Sequence, residues 1–212
     1  GNTLAWSDAA MFNLLKALEL TLNHGVDQLT GEKTGLDLGD LTTYKTFEEL
    51  EEAYAKQIDH FSDRMVTCIT QVEKMHELLL PTPFLSAVID DCLTRGMDVT
   101  QGGARYNFAG VQAIQIANVA DSLAAIKLLV YDEKKFSAQE LLHALQTNFE
   151  DAPLVRTMLL NKVPKYGNDV PWVDELGAKW VNYFADGLRK YRNGRGGIYQ
   201  MGLYTVSAHV PM

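Results

Sequence analysis

Thr100-Gln101-Gly102-Gly103-Ala104-Arg105-Tyr106-Asn107, followed closely by the stretch 114–130, decides the fold class. The paired glycines read as a tight turn into a short extended segment. Residues 114–130 are strongly helical and apolar on most faces, with Ala117, Ala120, Ala124 and Ala125 admitting close neighbours. A helix apolar on most faces belongs in a core, and a chain of 212 residues is hard pressed to cover it fully. The reading is therefore an α-rich segment with a few strands.

Working outward, helical signals continue on both sides. Toward the N-terminus, Ser7 or Asp8 can cap a helix through Met11, Phe12, Leu14, Leu15, Leu18 and Leu22, closed by Asn23-His24-Gly25. Residues 26–44 read as an irregular connection, too long to stand unless something holds it down. Thr46-Phe47-Glu48-Glu49 forms a capping box that opens a long helix to about Leu79, stopped by Pro81 and Pro83. A further helix is expected over 84–95, ending at Gly96. Toward the C-terminus, Ser137-Ala138-Gln139-Glu140 is a second capping box, for a helix to Asn148. Asp151 is expected to cap a shorter helix to Leu160, and Pro171 to sit in the first turn of one reaching about Arg192. Asn193-Gly194-Arg195-Gly196-Gly197 reads as a flexible turn, and 198–210 as the best strand. Both ends read as interior to a longer chain.

Composition narrows the function classes. The chain is 47% hydrophobic, enough for a real core, and its net charge of −8 disfavours the phosphate backbone of nucleic acids. No run of eighteen apolar residues suggests a membrane span, and residues 1–8 carry no signal-peptide pattern. Two cysteines, Cys68 and Cys92, make no disulfide framework and suit a reducing, cytoplasmic setting. The five histidines lack metal-ligand spacing, so no metal site is expected.

Few residues suggest chemistry. Gly102-Gly103 lacks the partners of a phosphate loop and reads as a structural turn. Cys92 follows Asp90-Asp91, which disfavour a thiolate, and both thiols read as buried or half-buried structural groups. Asp8 is either a helix cap or a site carboxylate. His209 and Tyr204 are either site groups or packing residues. The residues alone show no self-contained catalytic constellation.

Five ordered strings nevertheless carry a family resemblance. They are Phe84-Leu85-Ser86-Ala87-Val88-Ile89-Asp90-Asp91-Cys92; Gly102-Gly103-Ala104-Arg105-Tyr106-Asn107; the stretch 117–127; Pro164-Lys165-Tyr166-Gly167-Asn168-Asp169; and Arg195-Gly196-Gly197 with Gly202-Leu203-Tyr204. In this order, over essentially the whole chain, they resemble the glycyl radical enzymes of the pyruvate formate-lyase superfamily. The resemblance is to the dehydratase branch, nearest the group named probable dehydratase or putative formate acetyltransferase.

The resemblance implies that residues 1–212 are a central to C-terminal part of a ten-stranded α/β barrel domain. It implies a parent lyase or dehydratase that uses a protein glycyl radical, installed by a radical S-adenosylmethionine activase, and a cysteine thiyl that abstracts hydrogen from a small hydroxylated substrate. Formate C-acetyltransferase and arylacetate decarboxylase are the alternative parent activities. Neither a Gly-Cys-Val-Glu string nor an Arg-Val-Xaa-Gly-Tyr radical loop occurs in the 212 residues. The chain alone is therefore expected to hold no catalytic residue and to be inactive, its partners being the missing parent segments, the activase and further copies of itself. A non-catalytic scaffold or split-gene subunit is the competing reading. By the family pattern Asp8 matches a substrate-contacting aspartate, Ser7 a neighbouring site-lining position and Tyr204 a pocket tyrosine. Ser7 stands where several dehydratases have histidine.

Overall fold

A computed structural model describes residues 4–203. The elements are β1 (Leu4–Asn13), α1 (Leu14–Leu22), α2 (Phe47–Leu79), α3 (Pro83–Val88), α4 (Cys92–Arg95), β2 (Tyr106–Ile114), α5 (Ile116–Ile126), α6 (Ala138–Gln146), α7 (Pro153–Asn161), α8 (Pro171–Leu188) and β3 (Tyr199–Leu203). A 3-10 turn at Val99–Gln101 precedes β2, and a π-helical turn at Lys127–Asp132 follows α5. The described chain is predominantly helical with one sheet, ordered β1-β2-β3. It falls into two compact units, one of 4–12, 62–114 and 183–203, the other of 13–61 and 115–182.

The second unit is helical. Val119, Ala120, Leu123 and Ala124 of α5 are wholly buried, as the alanine-rich sequence implied. Tyr54 packs its ring 4.4 Å from Trp180 and donates its hydroxyl to the Leu14 carbonyl at 3.0 Å, which satisfies its one polar atom in a dry site. The long connection 23–46 is held by a buried side chain. The Gln57 carboxamide accepts from Leu36 N–H at 2.8 Å and donates to Leu36 C=O at 3.1 Å, replacing a strand partner. Tyr44 adds hydrogen bonds to the Thr21 and Leu38 carbonyls.

The first unit holds the sheet. Strands β2 and β3 pair in parallel, with Ala109 opposite Tyr199 and Gln112 opposite Gly202. Ala109, Val111, Ala113 and Tyr199 form one buried face. The approach to β3 is clamped by two asparagines. Asn193 accepts the Gly197 N–H at 2.8 Å and donates to the Asn107 carbonyl at 2.9 Å, while Asn107 donates to the Gly102 and Ala104 carbonyls. Gly197 lies so close to Asn107 that a Cβ would fall 1.4 Å from its carbonyl oxygen. The turn read as flexible is thus a close-packed junction.

Several local expectations need correction. Ser7 and Asp8 do not cap a helix; they lie within β1, and the cap of α1 is Asn13, whose Oδ1 accepts from Lys16 N–H at 2.9 Å. Pairing within the sheet, a non-local term, overrides the helical spacing at Met11 and Phe12, and the helix begins only at Leu14. The helix expected over 84–95 breaks at Ile89–Asp91, where Asp91 takes φ 77°. Its carboxylate is anchored there by Arg105 through Nε at 3.1 Å and Nη2 at 2.9 Å. The helix expected from 114 begins only at Ile116, after a left-handed Gln115, because β2 runs on to Ile114. Asp151 does not cap α7; it accepts from Thr147 and pairs with His143. Cys68 is exposed rather than buried. The strand expected over 198–210 is β3 as far as Leu203; the remainder lies outside the described residues.

Asp98 ties the turn before β2 to α3. Its carboxylate accepts from Thr100 Oγ1 at 2.7 Å, Thr100 N–H at 2.9 Å, Ser86 Oγ at 2.7 Å and Thr82 N–H at 3.0 Å. Burial pushes this carboxyl up, but the hydrogen bonds outweigh it and hold the group at about 2. A depressed folded-state value stabilises the fold at pH above the ordinary carboxylate range, and that stabilisation is lost as pH falls toward 2. Asp98→Ala is therefore expected to cost about 1 kcal/mol near neutral pH. Melting curves of the two proteins should converge as pH drops from about 4 to about 2. A pH-independent difference would contradict this.

Candidate functional site

The sheet has two faces with different chemistry, and β1 supplies a polar residue to each. Alternation along a strand sends neighbouring side chains to opposite sides. Ser7 accepts from Arg195 Nη2 at 3.1 Å, whereas Asp8 accepts from Gln112 Nε2 at 3.4 Å. The two residues singled out from the sequence therefore have separate partners. Tyr204, and with it His209, lies outside the described residues.

On the Ser7 side, Arg195 and Glu73 form an ion pair whose side chains are 9% and 11% exposed. The Glu73 carboxylate accepts from Arg195 Nε at 3.2 Å and from Gly194 N–H at 2.7 Å. Arg195 Nη2 also donates to the Phe108 carbonyl at 2.8 Å. A cavity of about 370 Å³ opens beside this pair, lined in part by Ala5, His76, Thr82 and Thr100. Both charges of the pair are satisfied by protein groups, so the pair locks the turn at Arg195 to α2 and to β2 more readily than it binds a ligand.

On the Asp8 side, side chains lie flat across glycines of the next strand. The Trp6 indole covers Gly110, where a Cβ would fall 2.3 Å from Nε1. The Gln112 carboxamide covers Gly202 in the same way. Trp6 meets Phe108 edge-on at 6.2 Å, and Phe108 stacks with Tyr106 at 6.1 Å. Asp8 is exposed, and its second oxygen, Oδ2, accepts nothing from the described residues. The arrangement is an aromatic strip ending in a carboxylate with one oxygen tethered and the other left by the described residues to accept from a hydroxyl or ammonium group.

Cys92 is buried, and burial pushes its thiol up, with Asp98 and Asp91 acting in the same direction. That is the setting of an unreactive thiol. Among the described residues no group of three or more histidine, cysteine, aspartate or glutamate side chains could hold a metal ion. No described helix is long and apolar enough to cross a membrane.

Sequence reading missed Gln112, Arg195 and Glu73. Gln112 had a visible signal, a lone amide inside the apolar run Phe108 to Ile114. The Arg195–Glu73 pair joins positions far apart in sequence and left no local mark.

The pyruvate formate lyase-like family model matches residues 1–212. The (2S)-3-sulfopropanediol dehydratase of Klebsiella oxytoca is 37% identical over all of this chain, which corresponds to 26% of that protein. The crystal structure of hydroxyproline dehydratase from Clostridioides difficile, with trans-4-hydroxy-L-proline bound, superposes with a TM-score of 0.90 at 35% identity, over 95% of this chain and 26% of that one. A glycyl radical enzyme from Archaeoglobus fulgidus superposes with a TM-score of 0.84 at 33% identity, over 92% and 25%. The chain thus spans about a quarter of the length of these relatives.

The Arg195–Glu73 pair gives a direct test of its locking role. Arg195→Met leaves a poorly solvated carboxylate and is expected to cost roughly 3 kcal/mol in denaturant unfolding. Adding Glu73→Gln should recover part of the loss by removing the stranded charge. Unchanged stability in the single variant would show that the pair locks nothing.

Proposed function

The chain belongs to the pyruvate formate lyase-like family, and we propose that it forms part of the substrate-enclosing barrel of a glycyl radical dehydratase that acts on a small hydroxylated molecule. The observation that carries the reading is the Asp8 carboxylate, exposed on the strip beside Trp6, with an Oδ2 that accepts nothing from the described residues. Two of the similar proteins are dehydratases of a propanediol and of a hydroxyproline, both hydroxylated substrates. A carboxylate held at one oxygen can accept a substrate hydroxyl at the other and fix the carbon that bears it for reaction. Ser7 and Tyr204 are proposed as further lining residues of the enclosed site.

The radical chemistry is assigned to a cysteine and a glycine outside these 212 residues, the glycine being activated by a radical S-adenosylmethionine partner enzyme. This chain contributes binding and orientation. The missing barrel segments are proposed to cover its apolar surface. In the first unit Phe84 is 88% exposed and Leu93 73%, with Leu78, Leu79 and Leu80 also exposed. Apolar surface of this kind suits burial against further protein, including a second copy of the whole protein in a homo-oligomer. The composition fits a cytoplasmic enzyme, and the 212 residues alone are proposed to lack turnover.

The test uses the whole protein with its activating enzyme under anoxia, assayed on vicinal diols and trans-4-hydroxy-L-proline. Turnover is expected from the whole protein and none from residues 1–212 alone. Asp8→Asn should lower kcat/KM by roughly a hundredfold, the loss of a charged hydrogen-bond acceptor. Activity of residues 1–212 alone, or full activity of Asp8→Asn, would overturn the reading.

A further inference from the structure

Gln112 sits in the middle of β2, 8% exposed, bonded to Asp8 on one side and opposite Gly202 on the other. Its carboxamide lies across that glycine. A Cβ on Gly202 would fall 2.0 Å from Oε1, 2.8 Å from Cδ and 3.0 Å from Nε2. Oε1 is buried there, and none of the described residues donates to it. Nε2 is the end that finds one, donating to Asp8 Oδ1.

Packing alone does not account for a glutamine at this place. A buried acceptor without a donor is destabilising, and a methionine would fill nearly the same volume without that penalty. Turning the amide over would set Oε1 against the Asp8 carboxylate, acceptor against acceptor. What glutamine supplies and an apolar residue cannot is the N–H donor aimed at Asp8.

Resting on the reading of Asp8 as a hydroxyl acceptor, we infer that Gln112 is a positioning residue that holds the Asp8 carboxylate by one oxygen and leaves the other turned toward substrate, and that Gly202 makes room for it. Gln112 acts through Asp8 and need not touch the substrate. Gly202 has an ordinary backbone conformation, because no positive φ attaches to it. An alanine there displaces only the end of a flexible side chain, so the fold tolerates it while Gln112 swings away from Asp8.

The test measures binding of glycerol and 1,2-propanediol to the unactivated whole protein by calorimetry, for Gln112→Met, Gly202→Ala and the double variant. Each single change is expected to weaken binding roughly tenfold. The double variant should be no weaker than Gln112→Met, because both changes remove the same donor. Melting temperatures should stay near that of the unaltered protein. Unweakened binding in Gln112→Met would reduce Gln112 to packing and overturn the inference. So would a further loss on adding Gly202→Ala, since the glycine would then be making room for something else. Asp8→Asn, measured alongside, separates this inference from the reading it rests on. Weak binding there with normal binding in Gln112→Met removes only the role of Gln112, while normal binding in Asp8→Asn removes both. A readout that needs no ligand is the side-chain amide resonance of Gln112 in selectively labelled protein. It should move in Asp8→Asn, and a resonance that stays put would show that the amide does not sense Asp8.

Discussion

The close approach of Gly197 to the Asn107 carbonyl sets the register of the sheet. No side chain fits where a Cβ would come within 1.4 Å of an oxygen, so only glycine lets the chain before β3 settle onto the start of β2. Asn193 then bridges the two by taking the Gly197 N–H and giving its own amide to Asn107. With that junction fixed, Tyr199 falls opposite Ala109 and Gly202 opposite Gln112. A slip of one residue would turn every side chain of β3 to the other face. Gly202 would then no longer lie under the Gln112 amide. The same junction carries Arg195 to Glu73 and Ser7, so the chemistry of both sheet faces follows from one backbone contact.

How much of this could be read from the sequence depends on the range of each interaction. The Ser137 capping box appears as expected, with the Ser137 hydroxyl accepting from Glu140 N–H and the Glu140 carboxylate reaching back to Ser137 N–H, because all its groups lie within four residues. The long helix from Phe47 to Leu79 is equally local in origin. The box at Thr46 is partly different: Glu49 accepts from Lys45 N–H, one residue earlier than the pattern suggests. Failures occur where a distant partner decides. Nothing within ten residues of Asp8 says that it will lie in a strand, since β1 is defined by neighbours near residue 110. Asp91, where the helical pattern breaks, has its carboxylate held by Arg105, fourteen residues on.

The strings that carried the family resemblance fare differently from the helix boundaries. Gly102 to Asn107 forms the turn into β2, stretch 117–127 runs along α5 to the first residue of the π-helical turn, and Arg195-Gly196-Gly197 is the junction itself. Pro164 to Asp169 is a loop whose Tyr166 N–H donates to Asp121 of α5 at 2.7 Å, so two of the strings meet. Three of these segments meet close geometric demands, at the Gly102–Gly103 turn, at Gly197 and at the Tyr166–Asp121 bond. Secondary-structure propensity has no access to such demands, which is why the family could be read while the position of Asp8 within its element could not.

The two charged sites on the sheet illustrate how surroundings separate structural from functional groups. Arg195 and Glu73 are nearly buried, and the groups around them, Ser7, the Phe108 carbonyl and the Gly194 N–H, complete their hydrogen bonding. Removing water from both charges is tolerable only because each is the other's partner. Asp8, the one carboxylate on the three strands, is exposed, and the described residues engage only one of its oxygens. Full pairing would have made it another lock, and an absence of partners would have left it free to rotate away from any fixed direction. A single tether through Gln112 lies between these extremes: it restrains the carboxylate's direction while sparing an oxygen for a ligand, and it does so from β2, whose register is set by the glycine junction.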